Sequence, residues 1–358
     1  MDKNNYAVIL AGGVGSRFWP ISKTECPKQF LDILSVGETL IQQTFRRLQK
    51  VCLKENIFVV TNHDYKSLCK DQLNDIIEDN ILCEPVMRNT APCIAYAAYK
   101  IFDLNNQAKL IIAPSDHLIL NEDAFVESVT NVFSSVKDSD ILVTLGISPS
   151  RPDTGYGYIQ YSDEGSSALK NLKKVKTFTE KPNVELALQF IDSGDFLWNA
   201  GIFIFSASAI INGFKKHLRD VHDIFSSGFG IYNTTEEVSF IEKVFPTCKN
   251  ISIDYGIFEK SDKVHVYPCE FGWSDLGTWG SLYSFLDKDE HDNTLQGEGI
   301  MLYNSSNNII RNEESKTLIA QGLDGYIVVN TNDALLICKK EDEQQIKAFV
   351  NDLKKQDL

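Results

Sequence analysis

The stretch YAVIL at residues 6–10 runs directly into Ala11-Gly12-Gly13-Val14-Gly15-Ser16-Arg17, and its reading decides the fold class. A short apolar run that stops at glycines predicts a buried strand followed by a tight turn. Three glycines in four residues, Gly12, Gly13 and Gly15, let backbone N–H groups converge on an anion. Leu10, Ala11 and these glycines are therefore candidate phosphate-binding positions. A tight turn alone would explain the glycines, but two cations follow closely, Arg17 and Lys28, and supply the charge a polyphosphate demands. For Lys28 a solvated surface position is the bland alternative. The spacing excludes two commoner loops: the third glycine of G-x-G-x-x-G would fall at Phe18, and no G-K-[ST] follows.

Working outward, apolar runs at 57–61, 110–113 and 141–145 alternate with amphipathic stretches at 39–51, 65–75, 91–104 and 122–137. That alternation is the pattern of βαβ units, and it predicts a Rossmann-like, mostly parallel sheet with helices on both faces. Beyond 150 come a Gly/Tyr-rich segment (DTGYGYIQY), a strand at 175–180, a helix at 184–193 and a strand at 201–205. A helix-rich stretch at 206–249 and a strand at 264–268 complete an α/β domain over 1–287. From 288 the runs GIMLYN, NIIRN, TLIAQG, GYIVVNT and ALLICKK recur every eight to ten residues. They predict a small β-rich, β-helix-like module at 288–358, closed by a helix at 341–354.

The 358 residues carry 35 Lys+Arg against 49 Asp+Glu, a formal charge of −14. A nonspecific grip on nucleic acid or an anionic membrane is thereby disfavoured, and any phosphate must be held locally. The longest apolar runs fall short of a membrane span and the first residues lack a secretory pattern, so the expected location is cytoplasmic. Eight cysteines without a C-x-x-C pair read as reduced, mostly buried small side chains.

Asp116 follows the apolar run at 110–113, at the carboxyl edge of a parallel strand, where open α/β sheets bind ligands. Asp275 sits in a turn bounded by Trp and Gly. Carboxylates meeting over phosphates are the usual protein share of a Mg²⁺ shell, whereas capping a turn or helix is the bland alternative for each. His117 reads as structural or orienting. Thr90, with Pro92 in the first turn of a helix, reads as an N-cap, which leaves Glu84, Arg88 and Asn89 unexplained. Glu180-Lys181 offers an acceptor for hydroxyls beside a cation for phosphate, or simply an ion pair at a strand end. Tyr156, Tyr158 and Trp198 read as core.

The stretch AGGVGSRFWPISKTECPKQFL at 11–31 resembles the signature of sugar-1-phosphate nucleotidylyltransferases. Trp19-Pro20 and Lys28-Gln29-Phe30 favour the mannose-1-phosphate guanylyltransferase branch. The resemblance continues through EPVMRNTAPCIAYAA (84–98), PSDH (114–117), TGYGYI (154–159), FTEKP (178–182), WNAGIFIF (198–205), SIDYGIFEK (252–260) and GWSDLGTW (272–279). It implies transfer of GMP from GTP to mannose 1-phosphate, with Arg17, Lys28, Asp116 and Asp275 catalytic and the two aspartates on Mg²⁺. It implies that the segment from Glu84 through Arg88, Asn89 and Thr90 lines the nucleotide pocket, with Glu84 as a candidate acceptor for guanine. Gly157, Glu180, Lys181 and Asn199 would read the sugar phosphate, with Asp275 beside them. The tail is similar to the module that mediates dimer contacts in single-function members, so a homodimer is expected. An isomerase domain, found in some members, is not expected, because the residues after 287 lack its His/Glu cluster. Transfer to another sugar phosphate, or a silent nucleotide-sugar-binding regulatory subunit, remains as an alternative. A NAD-dependent oxidoreductase fails on the missing third glycine.

Overall fold

The computed structural model describes residues 1–13, 15–136, 139–162 and 171–355; Val14 of the glycine loop and Lys137 of a predicted helix lie outside them. By their contacts the residues form two compact units. The first is Met1–Gly12, Thr44–Ser115 and Ile119–Trp273; the second is Gly13–Gln43, Asp116–Leu118 and Ser274–Leu358.

The strands up to the tail are β1 (Asn5–Leu10), β2 (Ile57–Asn62), β3 (Ile81–Glu84), β4 (Lys109–Pro114), β5 (Leu118–Ile119) and β6 (Leu142–Ile147). They continue as β7 (Gly157–Ser162), β8 (Lys173–Glu180), β9 (Phe196–Ser206), β10 (Val264–Cys269) and β11 (Trp273–Ser274). Nine of them build the sheet of the first unit in the order β3-β2-β1-β4-β9-β6-β10-β8-β7. β1 lies parallel to both β2 and β4, and β10 parallel to β6, whereas β9 runs antiparallel to β4, β6 and β7. The sheet is thus mixed: β8 and β9 oppose the common direction.

β1 forms because five successive apolar residues can be buried on both faces, as a central parallel strand requires. Tyr6 and Val8 join a core cluster with the helix Thr90–Leu104, while Ala7 and Ile9, fully buried, serve the opposite face. The helix Val184–Ser193 matches its predicted bounds because Asn183 caps it and Gly194, at φ +75°, ends it. Two differences matter for function. β9 begins at Phe196, five residues before the predicted strand, because Trp198 and Asn199 pair with β6. β3 gives no clear signal in the sequence, since its four residues follow a polar run, yet it delivers Glu84.

In the second unit, strands β12 (Thr294–Gly297), β14 (Ile309–Asn312), β16 (Tyr326–Asn330) and β17 (Leu335–Lys339) form one sheet. β13 (Ile300–Tyr303) pairs in parallel with β15 (Leu318–Gln321). Ile309 stands opposite Ile327, and Ile300 opposite Leu318, so two stacks alternate along the chain as in a β-helix. Inward Ile309, Ile327 and Val329 pack with Phe18, Ile21, Ile33 and Trp279 in one core. The predicted terminal helix opens as a 3₁₀ turn, Lys340–Gln345, and becomes α-helical only at Ile346–Lys355.

Candidate active site

In the second unit the glycine-loop segment, Asp116 and the turn after β11 face one cavity of about 340 Å³. Arg17, Lys28, Asp116, His117, Asp275 and Lys347 line it. Lys28 is no surface lysine: it is 5 % exposed. Its ammonium lies 2.9 Å from Asp116 Oδ2 and donates to the carbonyls of Asp275 (2.8 Å) and Leu276 (3.0 Å). An ammonium has three N–H donors, and three acceptors surround this one. Lys28 therefore pins together the two segments that carry the acidic residues.

Local backbone prepares that pin. Leu276 has φ +44°, an uncommon conformation for a branched side chain, held by its complete burial and by its N–H donating to Ser274 Oγ. Gly15, at φ +57°, cannot be replaced, because a Cβ there would come within 2.7 Å of Lys28 Cβ. Gln29 Nε2 donates to the Gly13 carbonyl, fixing the loop. Arg17 is exposed on the 3₁₀ turn Ser16–Phe18, against which the helix Ile346–Lys355 packs.

Burial opposes ionisation of Asp116, but Lys28 and His117 outweigh it and hold its carboxyl below the usual range. Asp275 Oδ1 accepts the Gly277 N–H at 2.9 Å, so the turn-cap role and the cavity position coexist. Two carboxylates facing one cavity suit Mg²⁺, a hard ion that keeps water and phosphate oxygens for its remaining positions. Among the described residues no cluster of three or more potential metal ligands forms.

The first unit holds the other predicted positions in two groups. At the ends of β1 and β3, Glu84 is 4 % exposed, and its Oε1 lies 2.7 Å from where a side chain at Gly12 would begin. Cys93 Sγ donates to Glu84 Oε2, and burial pushes the Glu84 carboxyl up. Leu10 and Ala11 are tied to the sheet through their carbonyls, which accept from Ser115 N and Thr61 Oγ1. The Arg88 guanidinium donates to the Pro246 carbonyl at 2.8 Å. The helix cap is Asn89, not Thr90: Asn89, at φ +66°, accepts from Thr90 N through its Oδ1, and Thr90 Oγ1 accepts from Ile253 N instead.

The second group surrounds Gly157, Glu180 and Asn199. Gly157 stands opposite Glu180 in the β7–β8 pairing, and a Cβ there would meet Glu180 Oε2 at 2.4 Å and Asn199 Cβ at 3.3 Å. Glu180 forms an ion pair with Lys181, whose φ is +52°. Asn199 Oδ1 accepts from Thr144 Oγ1 (2.8 Å) and Gly201 N (3.2 Å), and its Nδ2 donates to Asp254 Oδ1 (3.0 Å). The amide is thus locked in one orientation. Sequence reasoning missed Asp254: burial, and then the Glu180 carboxylate, push it up to about 6. The available signal was an acidic residue inside the otherwise apolar run of SIDYGIF. Tyr156, Tyr158 and Trp198 are buried, as core residues should be.

The family model for nucleotidyl transferase matches residues 6–292, and that for the MannoseP isomerase/GMP-like beta-helix domain matches 298–353. A putative mannose-1-phosphate guanylyltransferase of Vibrio cholerae is 34% identical over 97% of this chain and 74% of its own length. Mannose-1-phosphate guanylyltransferase 2 of Escherichia coli O157:H7 is 36% identical over 98% of this chain and 73% of its own. A crystal structure from Thermus thermophilus, described as a mannose-1-phosphate geranyltransferase, superposes with a TM-score of 0.88 at 28% identity. That match covers 98% of this chain and 99% of the other. The chain belongs to the nucleotidyl transferase family and carries, after its transferase region, a β-helix domain of the MannoseP isomerase/GMP-like type.

Proposed function

We propose that the chain transfers GMP from GTP to α-D-mannose 1-phosphate, giving GDP-mannose and pyrophosphate. The observation that carries this is the cavity in which Lys28 pins Asp116 beside the Asp275 turn, with Arg17 on its wall. The names of relatives at 34% and 36% identity supply the substrate pair.

The sugar phosphate is its own nucleophile, since a phosphate monoester has its second pKa near ~6 and is largely dianionic at neutral pH. In-line attack of its oxygen on the α-phosphorus expels pyrophosphate, and no general base is required. The barrier is the approach of two anions, so catalysis consists of positioning and charge neutralisation. Arg17 and the glycine-loop amides bind the polyphosphate. Lys28 keeps Asp116 ionised and spaced from the Asp275 turn. Asp116 and Asp275 would hold Mg²⁺, which when bound neutralises phosphate oxygens. Glu84 is the acceptor for guanine, with Arg88, Asn89 and Thr90 shaping that end of the first unit. Glu180 and Asn199 orient the sugar over Gly157, and Lys181 neutralises its phosphate. The enzyme is cytoplasmic and forms a homodimer through the tail, whose outward Met301, Ile319, Leu335 and Ile337 are exposed.

The test is pyrophosphate release over a grid of four nucleoside triphosphates and several sugar 1-phosphates, with and without EDTA. Metal-dependent release strongest for GTP with mannose 1-phosphate is expected. Release with another pair would move the substrate assignment, and silence from folded protein would favour a regulatory subunit.

A further inference from the structure

The helix Ile346–Lys355 is the last element of the tail, yet its second residue, Lys347, lines the same cavity as Arg17, Lys28, Asp116 and Asp275. Its place is set by its neighbour. Ile346 is fully buried, packed in the core that also holds Phe18 and Trp279, so the start of the helix is anchored beside the turn that carries Arg17. Just upstream, Glu343 Oε2 accepts the Gly280 N–H at 2.7 Å, which ties the 3₁₀ turn Lys340–Gln345 to the segment after Asp275.

The charges around the cavity then matter. Among the side chains of the cavity other than Lys347, Arg17 and Lys28 carry two positive charges against the two carboxylates of Asp116 and Asp275, which would themselves be taken up by Mg²⁺. The Lys28 ammonium is already surrounded by one carboxylate and two carbonyls. With Lys28 so committed, an incoming polyphosphate meets, besides any Mg²⁺ the two aspartates would hold, only the guanidinium of Arg17 from this pair of cations, and a third cation on the wall adds to it. Two other tail lysines are committed to acids, Lys339 to Glu341 and Lys355 to Asp352, and Lys340 lies over the Tyr283 ring, whereas Lys347 is the tail lysine that lines this cavity. Lys347 makes no ion pair among the described residues, and Glu343, the acid nearest in sequence on the adjoining turn, is turned to Gly280.

We infer that Lys347 is a binding residue for the nucleotide's polyphosphate and for the pyrophosphate it leaves behind, supplied to the catalytic cavity by the C-terminal β-helix module. This rests on the transferase reading above and deepens it. The tail then has work beyond folding: it contributes a cation to the reaction it adjoins.

The test measures both directions of the reaction with Lys347→Ala, Lys347→Glu and Lys347→Arg, after thermal melts establish that each variant folds. Lys347→Ala should raise KM for GTP and, in the reverse reaction, KM for pyrophosphate by about tenfold, the loss of one charge-assisted contact at ~1.4 kcal/mol per decade. KM for mannose 1-phosphate should stay within a factor of about two, Lys347→Glu should be worse, and Lys347→Arg should restore most of the loss. Unchanged KM for both GTP and pyrophosphate in folded Lys347→Ala would overturn the inference. A wild-type preference for another nucleotide or sugar would sink only the substrate reading, because the same comparison runs on whichever pair the wild type uses.

Discussion

The second unit's cavity and the first unit's side-chain cluster around Gly157 are built by opposite means. The cavity is made of charge: an ammonium at 5 % exposure held by a carboxylate and two carbonyls, beside a left-handed Leu276. The cluster is made of shape and amide hydrogen bonds: a glycine with no room for a Cβ, and an asparagine fixed by Thr144, Gly201 and Asp254. The first arrangement suits stabilising charge that develops in a transition state, and the second suits discriminating hydroxyl positions. Substitutions in the cavity should thus change turnover, and those in the Gly157 cluster should change which sugar phosphate is held.

The sharpest way to break this contrast is at the aspartates. Asp116→Asn and Asp275→Asn should each lower kcat by about a thousandfold while the protein still melts cooperatively. Steady-state rates near wild type would remove charge from the account of the cavity. Lys28→Met should cut activity and also stability, because it leaves a carboxylate and two carbonyls without their donor. A loss of about 2 kcal/mol in urea unfolding is expected, less than for a fully buried pair because Asp116 is a third exposed. No change in midpoint would show that the pin carries no load.

In the cluster, Gly157→Ala forces Glu180 and Asn199 to move, so KM for the sugar phosphate should rise about tenfold with KM for GTP unchanged. An equal rise in both constants would deny the division of labour. The smallest effect concerns Asp254, whose carboxyl is raised from 3.8 to about 6 by burial and then by Glu180. Between those values the folded chain holds the proton more tightly than the unfolded chain, so this group's contribution to stability falls as pH rises from about 4 to about 6 and then levels off. Relative to wild type, Asp254→Asn should gain stability over that interval. Parallel denaturation midpoints from pH 4 to 7 would contradict the buried, Glu180-coupled setting.

The parts legible in the sequence were those a local pattern determines. β1, β2, β4 and β6 show as apolar runs bounded by polar residues, and the alternating tail strands as repeated short runs. β3 was hidden because four residues after IIEDN give too little periodicity, and Thr90 took the cap that Asn89 holds because both are good capping residues. The cavity was legible as residue types, Arg17, Lys28, Asp116 and Asp275, but not as a pin. That Lys28 bridges Asp116 and the Asp275 turn depends on contacts across 247 residues of chain, which no local signal carries. Asp254 was missed for the same reason, since its environment exists only once Asn199 and Glu180 are beside it.

The most direct test of the contrast is steady-state kinetics of Arg17→Ala and Glu180→Gln, varying GTP and mannose 1-phosphate in turn. The account predicts a reciprocal pattern: Arg17→Ala lowers kcat and weakens GTP while sparing mannose 1-phosphate, and Glu180→Gln weakens mannose 1-phosphate while sparing GTP. If both variants weakened both substrates alike, or if Arg17→Ala kept full turnover, the assignment of charge to one region and sugar recognition to the other would be wrong.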